Sequence, residues 1–143
     1  SYGGNVAVFG KKPDGSAFSV GVKDPFDPSS LTGKLSIRSG IVAVSGGYER
    51  YVDYNGKRYH HIIDPSTGYP SEGDLTSVTV ISDSGLESDA LSTACFVLGY
   101  KKSLGLLNQY NAEAVFIFKD KTVAVTDGIK KSFEIKNSDY TVK

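Results

Sequence analysis

The chain contains no methionine and no tryptophan, and only one cysteine and two histidines among 143 residues. A lone thiol, Cys95, cannot close an intrachain disulfide, and the paired Cys and His spacings of zinc sites are missing. Cys95 sits in an apolar segment of helical spacing and reads as buried packing. No stretch reaches the ~20 apolar residues of a membrane-spanning helix, and no charged-then-apolar leader opens the chain. It starts on Ser1-Tyr2-Gly3-Gly4 without an initiator methionine, as a processed product or an excised piece does. Charge of either sign is not in excess, since 16 Lys and Arg balance 16 Asp and Glu. That removes the electrostatic footprint of a nucleic-acid binder.

What is present is ordinary globular material, 39% hydrophobic and 22% charged, enough for one domain over residues 1–143 with a real core. The first two-thirds read as strands between turn signals. Asn5–Phe9 is apolar and β-branched, Lys12-Pro13-Asp14-Gly15-Ser16 is a turn, and Ala17–Lys23 alternates, so these two strands are expected to form a hairpin. Asp24–Ser30, with two prolines, is a loop, and Lys34–Arg38 and Ile41–Ser45 are short strands. Tyr48–Tyr54 and Lys57–Ile63 flank Asn55-Gly56, a favoured two-residue hairpin turn. Thr76–Ile81 reads as a buried strand.

The period then changes. Ser84 and Glu87 fit a capping box, Leu86, Ala90, Ala94 and Val97 follow at helical spacing, and Gly99 stops the helix. A second helix is predicted over about Lys101–Tyr110. A closing hairpin, Ala114–Phe118 with Thr122–Val125, and a short strand near Phe133 complete the chain. Mixed strands with a helical pair near the C-terminal end favour an α+β fold with a mixed or antiparallel sheet over a doubly wound one.

Chemistry-bearing residues fall in three places. Asp89 and Thr93 lie four apart on the capped helix, so they share a face. A carboxylate and a hydroxyl there make a hard-oxygen half-site of the kind Mg²⁺ accepts, with waters and substrate phosphate completing the octahedron. An exposed acid favoured by the helix dipole is the plainer reading. His60 and His61 point to opposite faces of a strand, so at most one easily serves the loop Asp64-Pro65-Ser66-Thr67-Gly68, whose hydroxyls and backbone N–H groups could grip a phosphate. That loop read alone is equally a plain turn. Ser45-Gly46-Gly47-Tyr48-Glu49-Arg50 lets a ligand approach backbone and offers Tyr48 for stacking on a flat ring, although a bulge or turn explains it nearly as well.

In order and spacing these segments resemble the ApbE family of FAD:protein FMN transferases. The matching runs are Gly3-Gly4-Asn5-Val6, Ser45 to Arg50, His61-Ile62-Ile63-Asp64-Pro65-Ser66-Thr67-Gly68 and Ser88-Asp89-Ala90-Leu91-Ser92-Thr93. They resemble the family's C-terminal portion through about Gly128, so the fold expected is that part of an ApbE-type enzyme, with the N-terminal half, including a Gly-Gly-Ile-Ala-Lys-Gly-like segment, outside this sequence. The resemblance implies Mg²⁺-dependent cleavage of FAD, with FMN passed to a Ser or Thr hydroxyl of an acceptor flavoprotein and AMP released. It implies Asp89 and Thr93 as metal ligands and His61 near the reacting phosphates, as a base for the acceptor hydroxyl. Asp64 and Thr67 would shape the adjoining loop, and Tyr48 and Glu49 would belong to the flavin-nucleotide pocket. A non-catalytic flavin- or nucleotide-binding module and a metal-dependent FAD pyrophosphatase are the alternatives. Family members usually act outside the bacterial cytoplasmic membrane, often as lipoproteins. Apolar edges left by a partial sheet make self-association an expectation as well. The transferase reading requires Asp89 and His61 to serve one shared cavity.

Overall fold

Apolar alternation and turn chemistry lay down seven strands before the first helix. The computed structural model describes residues 4–143. They are β1 (Val6–Val8), β2 (Phe18–Lys23), β3 (Leu31–Ile37), β4 (Gly40–Gly46), β5 (Tyr51–Tyr54), β6 (Lys57–His60) and β7 (Leu75–Ser82). Helices α1 (Gly85–Leu98) and α2 (Tyr100–Gln109) follow, then β8 (Glu113–Phe118), β9 (Thr122–Val125), β10 (Phe133–Ile135) and β11 (Thr141–Val142).

The main sheet runs β1-β4-β7-β8-β9-β11, antiparallel except for the parallel β9–β11 edge. A second sheet, β10-β3-β2, is antiparallel, and β5 and β6 pair only with each other. The fold is therefore α+β, with a mixed sheet and two helices. Alternation along β8 divides the core: Ala114, Phe116 and Phe118 face the cluster holding Leu91, Phe96 and Leu107 from the helices. Val115 and Ile117 face the cluster holding Val22 and Leu35 from the small sheet. The main sheet is thus covered on both faces, and β7 is buried along nearly all its length, as its run of β-branched residues implies.

Most local expectations hold. Asn55 (φ 49°) and Gly56 (φ 75°) turn the β5–β6 hairpin in left-handed geometry. The Ser84 side chain caps α1 by accepting the Glu87 N–H at 3.4 Å. The capping box is only half made, because the Ser84 N–H goes to Ser82 Oγ at 3.2 Å instead of to Glu87. Gly99 (φ 77°) ends α1, and α2 begins at the next residue.

Three expectations change. The hairpin of the first two strands does not form: β1 lies on β4, with Val6 opposite Val42, while β2 pairs with β3. Gly10 and Gly15, both at positive φ, help carry the chain across from one sheet to the other. β3 begins at Leu31, running through Gly33, where a Cβ would collide with the Phe133 ring on β10. The hairpin strands are shorter than expected. Tyr48, Glu49 and Arg50 form a turn before β5, and β6 ends at His60, leaving His61 just beyond the strand. Among the described residues no helix is long and apolar enough to cross a membrane.

Candidate active site

Helix α1 presents small polar residues to β4 where a core helix more often presents leucine. Ser88 is fully buried and donates to the Ile41 carbonyl at 2.8 Å, and Ser92, also fully buried, lies 2.8 Å from Ser45 Oγ on the same strand. These bonds fix the rotation of the helix. Asp89 and Thr93, each one position on, are consequently exposed along one edge. Thr93 Oγ1 is 2.9 Å from Ser45 Oγ, and the Asn5 amide donates to Asp89 Oδ1 at 2.9 Å. Asn5 belongs to the Gly3-Gly4-Asn5-Val6 run, of which Gly3 lies outside the described residues.

The donor set here is oxygen only. Among the described residues no three His, Cys, Asp or Glu side chains converge, so a cation at this edge has one carboxylate, one hydroxyl and otherwise water or ligand oxygens. That suits Mg²⁺, which keeps several waters and takes one or two carboxylates beside substrate phosphate. It does not suit zinc.

Two histidines one residue apart are left with different free atoms. His60 Nε2 lies 3.1 Å from the Ser71 carbonyl and must donate to it, while Nδ1 accepts the Ile62 N–H at 3.3 Å. Its ring also stands edge-on to Phe96 with centroids 5.5 Å apart. Both His60 nitrogens are spent on structure. His61 is exposed, and its Nδ1 lies 3.1 Å from the Arg50 carbonyl, which also takes the His61 backbone N–H. A carbonyl can only accept, so Nδ1 carries the proton and the Nε2 lone pair is open.

The loop after His61 is closed by its own bonds. Asp64 Oδ1 accepts from the Ser66 backbone at 2.8 Å and from its hydroxyl at 2.7 Å, and Gly68 N–H, at φ 72°, donates to Asp64 O at 2.9 Å. Those Ser66 hydrogen bonds hold the Asp64 carboxyl below its usual range. Thr67 N–H also donates to Asp64 O, and Tyr69 N–H to Thr67 Oγ1. The free N–H donors expected of this loop are thus engaged within it. It offers side chains to a ligand and no backbone nest.

Beside it opens a cleft of ≈ 890 Å³. Phe26, Tyr48, Tyr59, Tyr69 and Phe96 supply aromatic surface, and Lys57, Arg58 and Lys119 supply positive charge. Tyr48, Asp64 and Thr67 line this cleft; Glu49, His61, Asp89 and Thr93 do not, so the single cavity expected to be shared by Asp89 and His61 is not formed by the described residues, Asp89 and Thr93 facing outward along the edge of α1 instead. The link between the two regions is the segment Ser45–Arg50: Ser45 touches Thr93 at one end, and Arg50 holds His61 at the other. Tyr48 packs against Gly46, where a Cβ would clash with its ring. Its hydroxyl and that of Ser77 are buried without a partner among the described residues, and burial, then the Glu49 charge, pushes the Tyr48 phenol up to about 12.

Sequence reasoning missed the wall of the cleft formed by Phe26. Its loop is tied down by Asp24, which is only 2% exposed and accepts from Tyr140 Oη at 2.6 Å, Asn137 Nδ2 at 3.1 Å and the Phe26 N–H at 2.8 Å. Burial pushes the Asp24 carboxyl up, yet these hydrogen bonds outweigh it and hold the group below its usual value. The Asp-Pro-Phe-Asp-Pro run announces an Asx turn, but nothing local in the sequence announces Tyr140.

Fold and site together define a class: a layered α+β domain with a hard-oxygen helix face next to an aromatic cleft. Within that class the chain belongs to the ApbE family, whose sequence profile matches residues 1–116. It is 37% identical to an FAD:protein FMN transferase of Treponema pallidum over 99% of this chain and 42% of that protein. A Klebsiella pneumoniae protein of the same name is 39% identical over 98% of this chain and 43% of its own length. The crystal structure of the ApbE protein from Thermotoga maritima superposes with a TM-score of 0.81 at 38% identity, covering 91% of this chain and 42% of that one. The chain therefore spans about two-fifths of the length of these relatives.

Proposed function

We propose that this chain carries the metal and histidine portion of an FAD:protein FMN transferase. The observation that supports this most is the Ser45–Arg50 segment, which ties a hard-oxygen helix face to an imidazole whose Nε2 is free. The relatives, named FAD:protein FMN transferases, support the same reading.

In this reading FAD lies with its flavin in the aromatic cleft and its pyrophosphate towards α1. His61 Nε2 takes the proton of an acceptor Ser or Thr hydroxyl. The hydroxyl oxygen then bonds to the FMN phosphorus, the bridging P–O bond breaks, and AMP departs with the electron pair. Asp89 and Thr93 hold Mg²⁺, which when bound neutralises charge on the phosphate oxygens. The Asp64–Gly68 loop shapes the wall beside His61, and Tyr48 and Glu49 belong to the nucleotide pocket. We further propose that the whole protein acts outside the bacterial cytoplasmic membrane as a lipoprotein.

Incubating the chain with FAD, Mg²⁺ and a flavoprotein acceptor tests the assignment by mass spectrometry. Covalent FMN on a Ser or Thr of the acceptor supports it. AMP release without any acceptor would make the protein a pyrophosphatase, and FAD binding without turnover would make it a binding module.

A further inference from the structure

Four oxygens at the α1–β4 seam are linked in a way that dictates where each proton lies. Ser92 Oγ is 2.9 Å from the Asp89 carbonyl, which can only accept, so the single Ser92 proton is spent there. The 2.8 Å contact between Ser45 and Ser92 then requires Ser45 to donate. With the Ser45 proton used, the 2.9 Å contact between Ser45 and Thr93 requires Thr93 to donate. The order is Thr93 to Ser45 to Ser92 to the Asp89 carbonyl. The longer approach of Thr93 Oγ1 to that same carbonyl, 3.5 Å, also keeps its proton on the inner side.

Two consequences meet on the exposed face. Thr93 Oγ1, its proton committed to Ser45, keeps both lone pairs as acceptors. The Asn5 amide occupies Asp89 Oδ1, and among the described residues nothing bonds Oδ2. On this turn of helix the Thr93 hydroxyl oxygen and the Asp89 carboxylate thus both present acceptors, an arrangement that a cation uses and that a hydroxyl free to rotate would not guarantee.

We propose that Ser45 and Ser92 are positioning residues that commit the Thr93 proton inward and so set its oxygen as a ligand for a divalent cation. The proposal rests on the metal reading above and deepens it, because neither serine touches the cation. Ser92→Ala is the sharper probe: it removes the end of the relay and leaves Thr93 as the remaining partner of Ser45 among the described residues. Donation from Ser45 to Thr93 takes one Thr93 lone pair and releases the Thr93 proton from Ser45.

Mn²⁺ titration of the full chain in the presence of FAD, followed by electron paramagnetic resonance of the free ion, measures the effect without turnover. Ser92→Ala and Ser45→Ala are each expected to weaken Mn²⁺ binding by roughly tenfold, the scale typical of groups that orient a ligand. Ser45→Thr, which keeps the hydroxyl, is expected to retain wild-type affinity. Thermal melts by circular dichroism run alongside, because a purely structural role would lower the melting temperature and leave Mn²⁺ affinity unmoved. Wild-type Mn²⁺ affinity in folded Ser92→Ala, together with loss of binding in Asp89→Asn, overturns the relay and spares the metal site. Equal Mn²⁺ binding, or none, in wild type and Asp89→Asn overturns the metal site and the relay with it. Should Ser45→Ala fail to fold, Ser92→Ala decides alone, since alanine is the strongest helix former.

Discussion

Replacing His61 with alanine removes an imidazole whose Nδ1–H is anchored on the Arg50 carbonyl and whose Nε2 bonds nothing among the described residues. FMN transfer is expected to fall by about 10²–10⁴ while stability barely changes, as for loss of a general base on an exposed residue. His60→Ala should invert that pattern. It strands the Ser71 carbonyl and the Ile62 N–H, at about 1–3 kcal/mol for each group left unsatisfied, and its effect on transfer should be the smaller. Single-turnover transfer beside urea unfolding separates the two; equal, mild losses of transfer in both would remove the assignment. Sequence put both histidines on one strand, but β6 ends at His60, so strand alternation does not set the direction of His61. Nor could sequence assign their hydrogen bonds, since Ser71 and Arg50 arrive from other segments. Asp24 was less legible still, because its partner Tyr140 lies 116 positions away.

Elements whose signals are local were read well. Spacing and Ser84 marked α1, Gly99 its end, Asn55-Gly56 the hairpin, and Lys119-Asp120-Lys121 the β8–β9 turn, where Lys121 sits at φ 61° and Asp120 accepts the Thr122 N–H at 2.9 Å. Partner choice between strands was not local. β1 could have joined β2 by adjacency, yet its partner is β4, and no residue in β1 encodes that decision. The cap makes a quantitative case at this scale. Ser84→Ala removes the Glu87 N–H acceptor, and it should cost about 0.5–2 kcal/mol, as caps do. The urea midpoint is expected to drop with the m-value unchanged, since no surface exposed on unfolding is altered. No drop would mean that the side-chain cap carries nothing and that packing of Ser88, Leu91, Ser92 and Cys95 on the sheet holds α1 without it.

Across the whole molecule, the main sheet is covered by helices on one face and by the small sheet on the other, and the C-terminal residues bind the layers together. β10 lies on β3 of the small sheet, β11 on β9 of the main sheet, and Tyr140 between them reaches Asp24. This long-range stitching was beyond the sequence, which gave β10 as a short strand and gave no sign of β11. It also makes Asp24 the carboxylate that governs acid stability. Asp27, Asp64 and Asp120 are held low as well, first by hydroxyls two residues on, but Asp27 and Asp120 are exposed and Asp64 is half-exposed, so solvent screens what they contribute. Asp24 is buried, and its folded-state value lies below the ordinary 3.8. A carboxyl depressed on folding stabilises fully at neutral pH, and that stability is lost as pH falls through the ordinary carboxylate range towards the folded value. Protonation there would also remove the charge that strengthens the hydrogen bonds from Tyr140 and Asn137. Asp24→Asn should therefore be less stable than wild type at neutral pH, by about 1.5–3 kcal/mol for each charge-assisted hydrogen bond weakened. Its stability should then vary less as the solution is acidified, so the two urea-midpoint curves converge at low pH. Curves that stay parallel down the acid limb would show that other carboxylates set the acid response and that the Asp24–Tyr140 tie serves geometry alone.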